Sequence, residues 1–303
     1  MDKIAYAQEV IKTAYELSKT YYDKPVVVCY SGGKDSDVLL DITRKTLKTD
    51  EFRVLNSHTT LDAPETVYYI REKFAELRDA GIDATIEYPY YKGERTSIWK
   101  LILEKQMLPT RLARYCCKIL KEAATPNQIA LIGVRRSESK ARDGRGDIGV
   151  RGRRKEDAVY KTAQHTRAMI AFDQDPDNTS TFECEIIKNA KKQAAMVSLP
   201  VYEFSDTDVW DYIRDNHLTV NPLYSKGYRR VGCIGCPLAG KARFKEFADY
   251  PKYKDNFIKT CNRLIEQHEK HAKSNKYRTG EEMFKWWLEQ DPKQITIDDF
   301  MEV

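Results

Sequence analysis

The chain has 303 residues, 41% of them hydrophobic and 32% charged, with a formal net charge of +5; this composition suits a globular protein with a sizeable core and excludes the disordered and fibrous classes. No apolar run approaches the ~20 residues a bilayer crossing needs, and Met1-Asp2-Lys3-Ile4-Ala5 lacks the basic start and apolar stretch of a secretory leader. The expected compartment is therefore the cytoplasm, with no membrane partner.

Apolar side chains at helical spacing (Ile4, Ala7, Ile11, Ala14, Leu17) predict an amphipathic helix over Ile4–Ser18. Pro25 ends it, and Val26–Tyr30 reads as a buried strand. Helical period returns over Ser36–Leu47 with Val38, Leu39, Ile42 and Leu47. Arg53–Ser57 is a second strand, Pro64–Arg78 a helix stopped by Ala80-Gly81, Asp83–Tyr88 a third strand and Ile129–Val134 a fourth apolar run. Strands alternating with helices predict an α/β fold, a doubly wound and mostly parallel sheet. Ligands of such sheets sit beyond the carboxyl ends of the strands, where Ser31, Thr59 and Arg135 fall.

After the fourth strand comes a basic, glycine-rich stretch: Arg135, Arg136, Lys140, Arg142, Arg145, Arg151, Arg153, Arg154, Lys155, Lys161 and Arg167. Such a cluster suits a polyanion, whether nucleotide phosphates or a nucleic-acid backbone, and equally describes a solvated loop. Asp173–Thr181 reads as a turn or loop. A helix within Val201–Asn216 begins near Ser205, with Asp206 and Asp208 in its first turn as the helix dipole favours. From Ala242 onward the chain is helical, charged and aromatic. The expected organisation is a nucleotide-binding domain over 1–240 and a helical C-terminal region over 241–303.

The chemistry concentrates in two places. Val26–Tyr30 followed by Ser31-Gly32-Gly33-Lys34-Asp35-Ser36 is a strand, a glycine turn and a helix start. The glycines let the backbone approach an anion, and the first amides of the helix face a phosphate. Ser31 and Ser36 offer hydroxyls, and Lys34 a point charge. The spacing is too short for the GxxxxGK[ST] loop of common NTPases.

The second place is cysteine-based. Four of the seven cysteines form two tight pairs, Cys116-Cys117 and Cys233-Ile234-Gly235-Cys236. In a reducing compartment that pattern points to metal or redox chemistry. Four thiolates match a 4Fe–4S cluster or tetrahedral zinc; a reversible dithiol and plain buried thiols are the other readings. Arg111, Arg114, Lys118 and Lys121 around the first pair favour thiolates. Cys29, Cys184 and Cys261 have no partner pattern and read as packing residues.

The hexapeptide Ser31–Ser36 resembles the pyrophosphate loop of the adenine nucleotide α-hydrolase superfamily, whose members split ATP between the α and β phosphates. Thr59-Thr60-Leu61-Asp62-Ala63-Pro64-Glu65-Thr66 is similar to the superfamily's second, "DTG…ET"-like signature, with His58 or Thr59 standing where its aspartate would be. The cysteine pairs resemble the cluster-binding pattern of sulfonucleotide reductases and of DNA phosphorothioation sulfurtransferases, both in the phosphoadenylyl-sulfate (PAPS) reductase branch. Asn221-Pro222-Leu223-Tyr224 with Gly227-Tyr228 and Gly232-Cys233 looks like that branch's "NPLY…G…GC..C" segment. Ser205–Ile213 matches its helix, and Gly133-Val134-Arg135-Arg136-Ser137-Glu138-Ser139 with Arg142 its "G.R..ES..R" phosphate-contacting element. The resemblance runs over residues 25–240.

It implies Lys34 and Asp35 as catalytic groups, with Ser31, Gly32, Gly33, Ser36, Thr59, Gly133, Arg135 and Arg142 joining them around the nucleotide. It implies Cys116, Cys117, Cys233 and Cys236 as ligands of a 4Fe–4S cluster, and Mg2+ entering with ATP. Reductases of the branch carry a nucleophilic cysteine on a C-terminal tail, whereas this sequence ends Asp298-Asp299-Phe300-Met301-Glu302-Val303 and keeps Cys261 in a helical pattern. With Lys34 present, the expectation is ATP-dependent sulfur transfer, with a DNA or tRNA acceptor and a separate sulfur donor or complex partner. A sulfonucleotide reductase releasing sulfite and a non-catalytic nucleotide-binding module are the alternatives.

Overall fold

The computed structural model describes residues 2–121, 128–138, 148–150, 196–271 and 276–289. The chain falls into two compact units. The first comprises Met1–Asn56, Glu65–Glu87 and Ala124–Val231, the second Ser57–Pro64, Tyr88–Ala123 and Gly232–Val303. Segments from both sides of residue 240 share the second unit.

The first unit opens with helix α1 (Lys3–Tyr22), started by Asp2, whose carboxylate accepts from the Ile4 and Ala5 amides, and ended by Asp23 in a left-handed conformation. Strand β1 (Val26–Cys29) follows, then α2 (Lys34–Thr46), β2 (Phe52–Ser57), α3 (Pro64–Asp79) and β3 (Ala84–Glu87). Val26, Val27 and Val28 are fully buried, as are Ile129, Ala130 and Leu131. Continuous apolar runs of this kind belong to parallel strands covered on both faces. Such is the sheet.

β1 pairs in parallel with β2 on one side and with β6 (Ile129–Ile132) on the other. β6 pairs in parallel with β8 (Met196–Ser198), and β7 (Ile148–Val150) closes that edge antiparallel. The order is β3-β2-β1-β6-β8-β7, with α6 (Asp206–Asp215) after β8. Strand order reverses between β1 and β6, so the loop after β1 lies at a topological switch point. The mostly parallel α/β sheet with flanking helices is the one expected.

The second unit holds a two-stranded hairpin, β4 (Tyr90–Tyr91) and β5 (Glu94–Arg95). Its helices are α4 (Ile98–Lys105), α5 (Tyr115–Leu120), α7 (Ala242–Asp249), α8 (Pro251–Lys270) and α9 (Gly280–Glu289). An aromatic core joins them: Phe257 stacks on Trp287 with centroids 4.8 Å apart, and Phe247 meets Phe284 edge-on at 5.0 Å. The Trp287 indole donates to the Pro109 carbonyl at 2.7 Å, satisfying its buried N–H. No described helix is long and apolar enough to cross a membrane.

Candidate functional site

The loop Ser31–Ser36 lies between β1 and α2, in the first unit. Gly32 adopts φ +73°, and a Cβ there would meet Ile70 at 2.9 Å, so glycine is required twice over. Gly133, at the end of β6, comes so close to the loop that a Cβ would sit 3.0 Å from the Asp35 backbone. The Ser36 hydroxyl turns inward. It donates to the Gly33 carbonyl at 2.7 Å and accepts from the Ser31 and Gly33 amides at 3.3 and 3.2 Å. Ser36 thus staples the turn, where the sequence suggested a hydroxyl aimed outward; a short side chain at the third helical position reaches its own loop first.

Two residues from far along the chain complete this loop. Asn221, fully buried, donates to the Gly32 carbonyl and to the Thr66 hydroxyl, both at 3.0 Å, while its own carbonyl accepts from the Leu223 amide at 3.0 Å. Tyr224 accepts from the Lys34 amide through its hydroxyl at 2.9 Å. The Asn-Pro-Leu-Tyr segment therefore braces the glycine loop.

The charged groups form a compact set. Lys34 and Arg135 are 5% and 4% exposed. Lys34 Nζ lies 3.3 Å from Asp35 and 2.9 Å from Asp206. Arg135 lies 3.0 Å from Asp206 through Nη2 and 2.5 Å from Asp35 through Nε, the latter an ion pair without hydrogen-bond alignment. The hydrogen bond from Lys34 holds the Asp206 carboxyl below the usual carboxylate range. Just beyond the loop, Asp37 is buried, and Tyr30 and Tyr69 both donate to its Oδ1. Burial pushes its pKa up to about 7 against the pull of those two hydroxyls, and its Oδ2 is buried without a partner.

The four paired cysteines all belong to the second unit. Cys116 and Cys117 lie on α5, and Arg114 donates to Cys117 Sγ at 3.5 Å. Cys233 forms an antiparallel bridge with Asp62, and the Ile234 amide donates to the Leu61 carbonyl at 2.8 Å. Thr59, 2% exposed, accepts from Cys233 Sγ at 3.4 Å. Thus the second signature stretch, expected beside the nucleotide, backs the Cys-Ile-Gly-Cys turn, and Thr59 is a cysteine neighbour within this unit.

None of the four is in a disulfide. Their charges interact: Cys116 is pushed up, foremost by its hydrogen bond with Cys117 and by burial, with Cys233 and Cys236 adding. Cys117 is drawn down to about 5 by that same hydrogen bond, helped by Arg114 and Lys121. Burial pushes the Cys233 thiol up, and its neighbour Lys121 is raised foremost by interaction with Cys233. Among the described residues no three His, Cys, Asp or Glu side chains are gathered to ligation distance. The donor chemistry nonetheless fits an anionic sulfur-bound group. Arg243, 4% exposed and stacked 4.0 Å over Trp287, has Nε and Nη2 buried without partners, and burial draws its pKa down to about 10, so an anion beside it would relieve a desolvated cation.

Of the expected nucleotide residues, the structure brings together Ser31, Gly32, Gly33, Lys34, Asp35, Ser36, Gly133 and Arg135 in the first unit. Thr59 lies in the second, and Arg142 and most of the basic stretch lie outside the described residues, as does Cys184. Asp206, Asn221 and Tyr224 enter as site residues that local spacing did not single out. Asp206 had a sufficient explanation as a helix-dipole acid, which concealed its second role.

A family model described as the phosphoadenosine phosphosulfate reductase domain matches residues 25–239. An uncharacterised protein of Methanocaldococcus jannaschii is 26% identical over 263 residues, covering 84% of this chain and 52% of that protein. The chain spans about half the length of the first curated relatives it matches. Adenosine 5'-phosphosulfate reductase of Oceanobacillus iheyensis is 24% identical over 240 residues, 78% of this chain and 79% of the relative. Among solved structures, phosphoadenylyl-sulfate reductase from Candida auris in its phosphate complex aligns with a TM-score of 0.44 at 17% identity, over 75% of this chain and 87% of that one.

Proposed function

The chain belongs to the phosphoadenosine phosphosulfate reductase domain family, and from that premise we propose that it binds ATP, cleaves it to AMP and pyrophosphate by adenylating an acceptor, and supports sulfur transfer to that acceptor. The observation that carries this reading is Lys34: a lysine 5% exposed, built into a glycine loop at the sheet's switch point. A nucleotide whose chain ends at one phosphate or sulfate has no β and γ phosphates for such a charge to meet.

In this mechanism the phosphates of magnesium-bound ATP rest on the loop Ser31–Ser36. An acceptor oxygen attacks the α phosphorus, the bond to the β-phosphate oxygen breaks, and Lys34 with the loop amides stabilises charge growing on the leaving pyrophosphate. Arg135 keeps Asp35 oriented at the loop's edge. Sulfide then displaces AMP from the adenylated acceptor: a carbon–sulfur or phosphorus–sulfur bond forms as the bond to the oxygen that leaves with AMP breaks, and the sulfur gives up its proton to solvent. A nucleic acid, DNA or tRNA, is the acceptor class the basic stretch supports. Cys116, Cys117, Cys233 and Cys236 would hold a 4Fe–4S cluster, which would supply sulfur-binding and electron-transfer chemistry when bound. Unpartnered donors of Arg243 would face its negative charge.

The test is product identity. Protein purified without oxygen should form AMP and pyrophosphate from ATP and Mg2+ when candidate RNA or DNA is added; sulfite release from adenylyl sulfate with a thiol, and no AMP from ATP, would establish the reductase instead. The adenosine 5'-phosphosulfate reductase relative favours that second reading. Against it, Cys261 is fully buried within α8, and burial pushes its thiol up to about 12, which leaves it unsuited to nucleophilic attack. The same preparation should show thiolate-to-iron absorbance in the visible, lost in Cys116→Ser. A colourless protein loaded with zinc would refute the cluster.

A further inference from the structure

Two nearly buried cations of the phosphate site converge on one oxygen. Asp206 Oδ1 lies 2.9 Å from Lys34 Nζ and 3.0 Å from Arg135 Nη2. Its owner is unlike the other three groups. The Asp206 side chain is 64% exposed, against 6% for Lys34, 5% for Arg135 and 19% for Asp35. It stands at the first position of α6, and the Ser205–Asp208 capping box beside it fixes the helix start without using the Asp206 carboxylate.

An oxyanion that bridges a lysine and an arginine at hydrogen-bond distance has the chemistry of a phosphate oxygen. We propose that Asp206 is a specificity-determining residue of this site: its carboxylate occupies the position a ligand phosphate oxygen takes, and a nucleotide's terminal phosphates must displace it to reach Lys34 and Arg135. This deepens the ATP reading above and rests on it.

The charges explain why displacement discriminates among ligands. Asp35 and Asp206 together neutralise Lys34 and Arg135, so an incoming anion meets a site near electrical balance. A single phosphate or sulfate exchanges one oxyanion for another and gains little. A pyrophosphate group brings several oxyanions at once, enough to hold both cations and to repel Asp206 into water. Because Asp206 is mostly exposed, its release costs little desolvation or strain. Asp35, paired to the less accessible Nε of Arg135, remains in place.

The experiment is calorimetric titration with inorganic pyrophosphate, without divalent metal, on wild type, Asp206→Asn, Asp206→Ser and Asp206→Glu. Removing the competing charge should tighten pyrophosphate binding by about tenfold in both neutral variants, while Asp206→Glu stays within about threefold of wild type. Lost helix stability alone moves affinity the other way, so a gain is specific to competition. Neutral variants that bind pyrophosphate as wild type does, or more weakly, overturn the proposal. Failure of all four proteins to bind pyrophosphate would sink the ATP reading itself, and this inference with it.

Discussion

Lys34→Ala is expected to lower AMP formation from ATP by about 10²–10³-fold, the range seen when one preorganised group is removed from a developing oxyanion. Two carboxylates depend on Lys34, but neither is stranded. Asp35 keeps Arg135, and Asp206 keeps Arg135 or turns to solvent. Alanine also suits the first position of α2, so helix formation is not at risk. The loss should therefore fall on turnover with little change in melting temperature. Lys34→Arg should rescue poorly, because a broad planar guanidinium does not fit a slot that leaves lysine 5% exposed. A variant turning over within threefold of wild type at saturating ATP would remove Lys34 from the chemistry.

Asn221→Ala should damage the same loop through its scaffold. The side chain makes three hydrogen bonds, all at 3.0 Å and all buried: to the Gly32 carbonyl, the Thr66 hydroxyl and from the Leu223 amide. Truncation leaves those groups without their partner, at about 1–3 kcal/mol for each buried polar group not rescued by water. A total near 3 kcal/mol lowers the melting temperature by roughly 6–12 °C for a unit of this size. Gly32 also loses its anchor, so nucleotide affinity should fall about tenfold or more. Asn221→Asp keeps the acceptor for Leu223 but deletes both donors and buries a charge, and should be at least as harmful. A melting shift below about 2 °C would show that the Asn221 clamp is not what holds the turn.

These two residues mark the limits of what the sequence reveals. Lys34 was legible because loop, strand and helix are contiguous: a run of valines, two glycines and a helical period occupy a single window. Asn221 was not, because its partner Gly32 is 189 residues away and nothing local in Asn-Pro-Leu-Tyr announces a buried clamp. Strands β1 and β6 were readable as uninterrupted apolar runs. β7 and β8 are three residues each, too short to show a period. The β4–β5 hairpin turns through Lys92 at φ 53° and Gly93 at φ 84°, where the usual signal is Asn-Gly, and so escaped notice. The second signature stretch has a further contact that its sequence does not announce: the Thr59 hydroxyl accepts from Cys233 Sγ and the Leu61 carbonyl from the Ile234 amide, because Asp62 bridges Cys233 far along the chain.

The interleaving of the two units bears on how the chain leaves the ribosome. The first unit is complete only at Val231, and the second draws its final segment from Gly232 onward. A nascent polypeptide therefore exposes β1 and β2 long before β6 can pair with β1, with apolar strand edges uncovered meanwhile. The first unit can mature ahead of the second, which must wait for its residues from Gly232 onward. Separating the two units along the chain would demand five breaks, after residues 56, 64, 87, 123 and 231, instead of one.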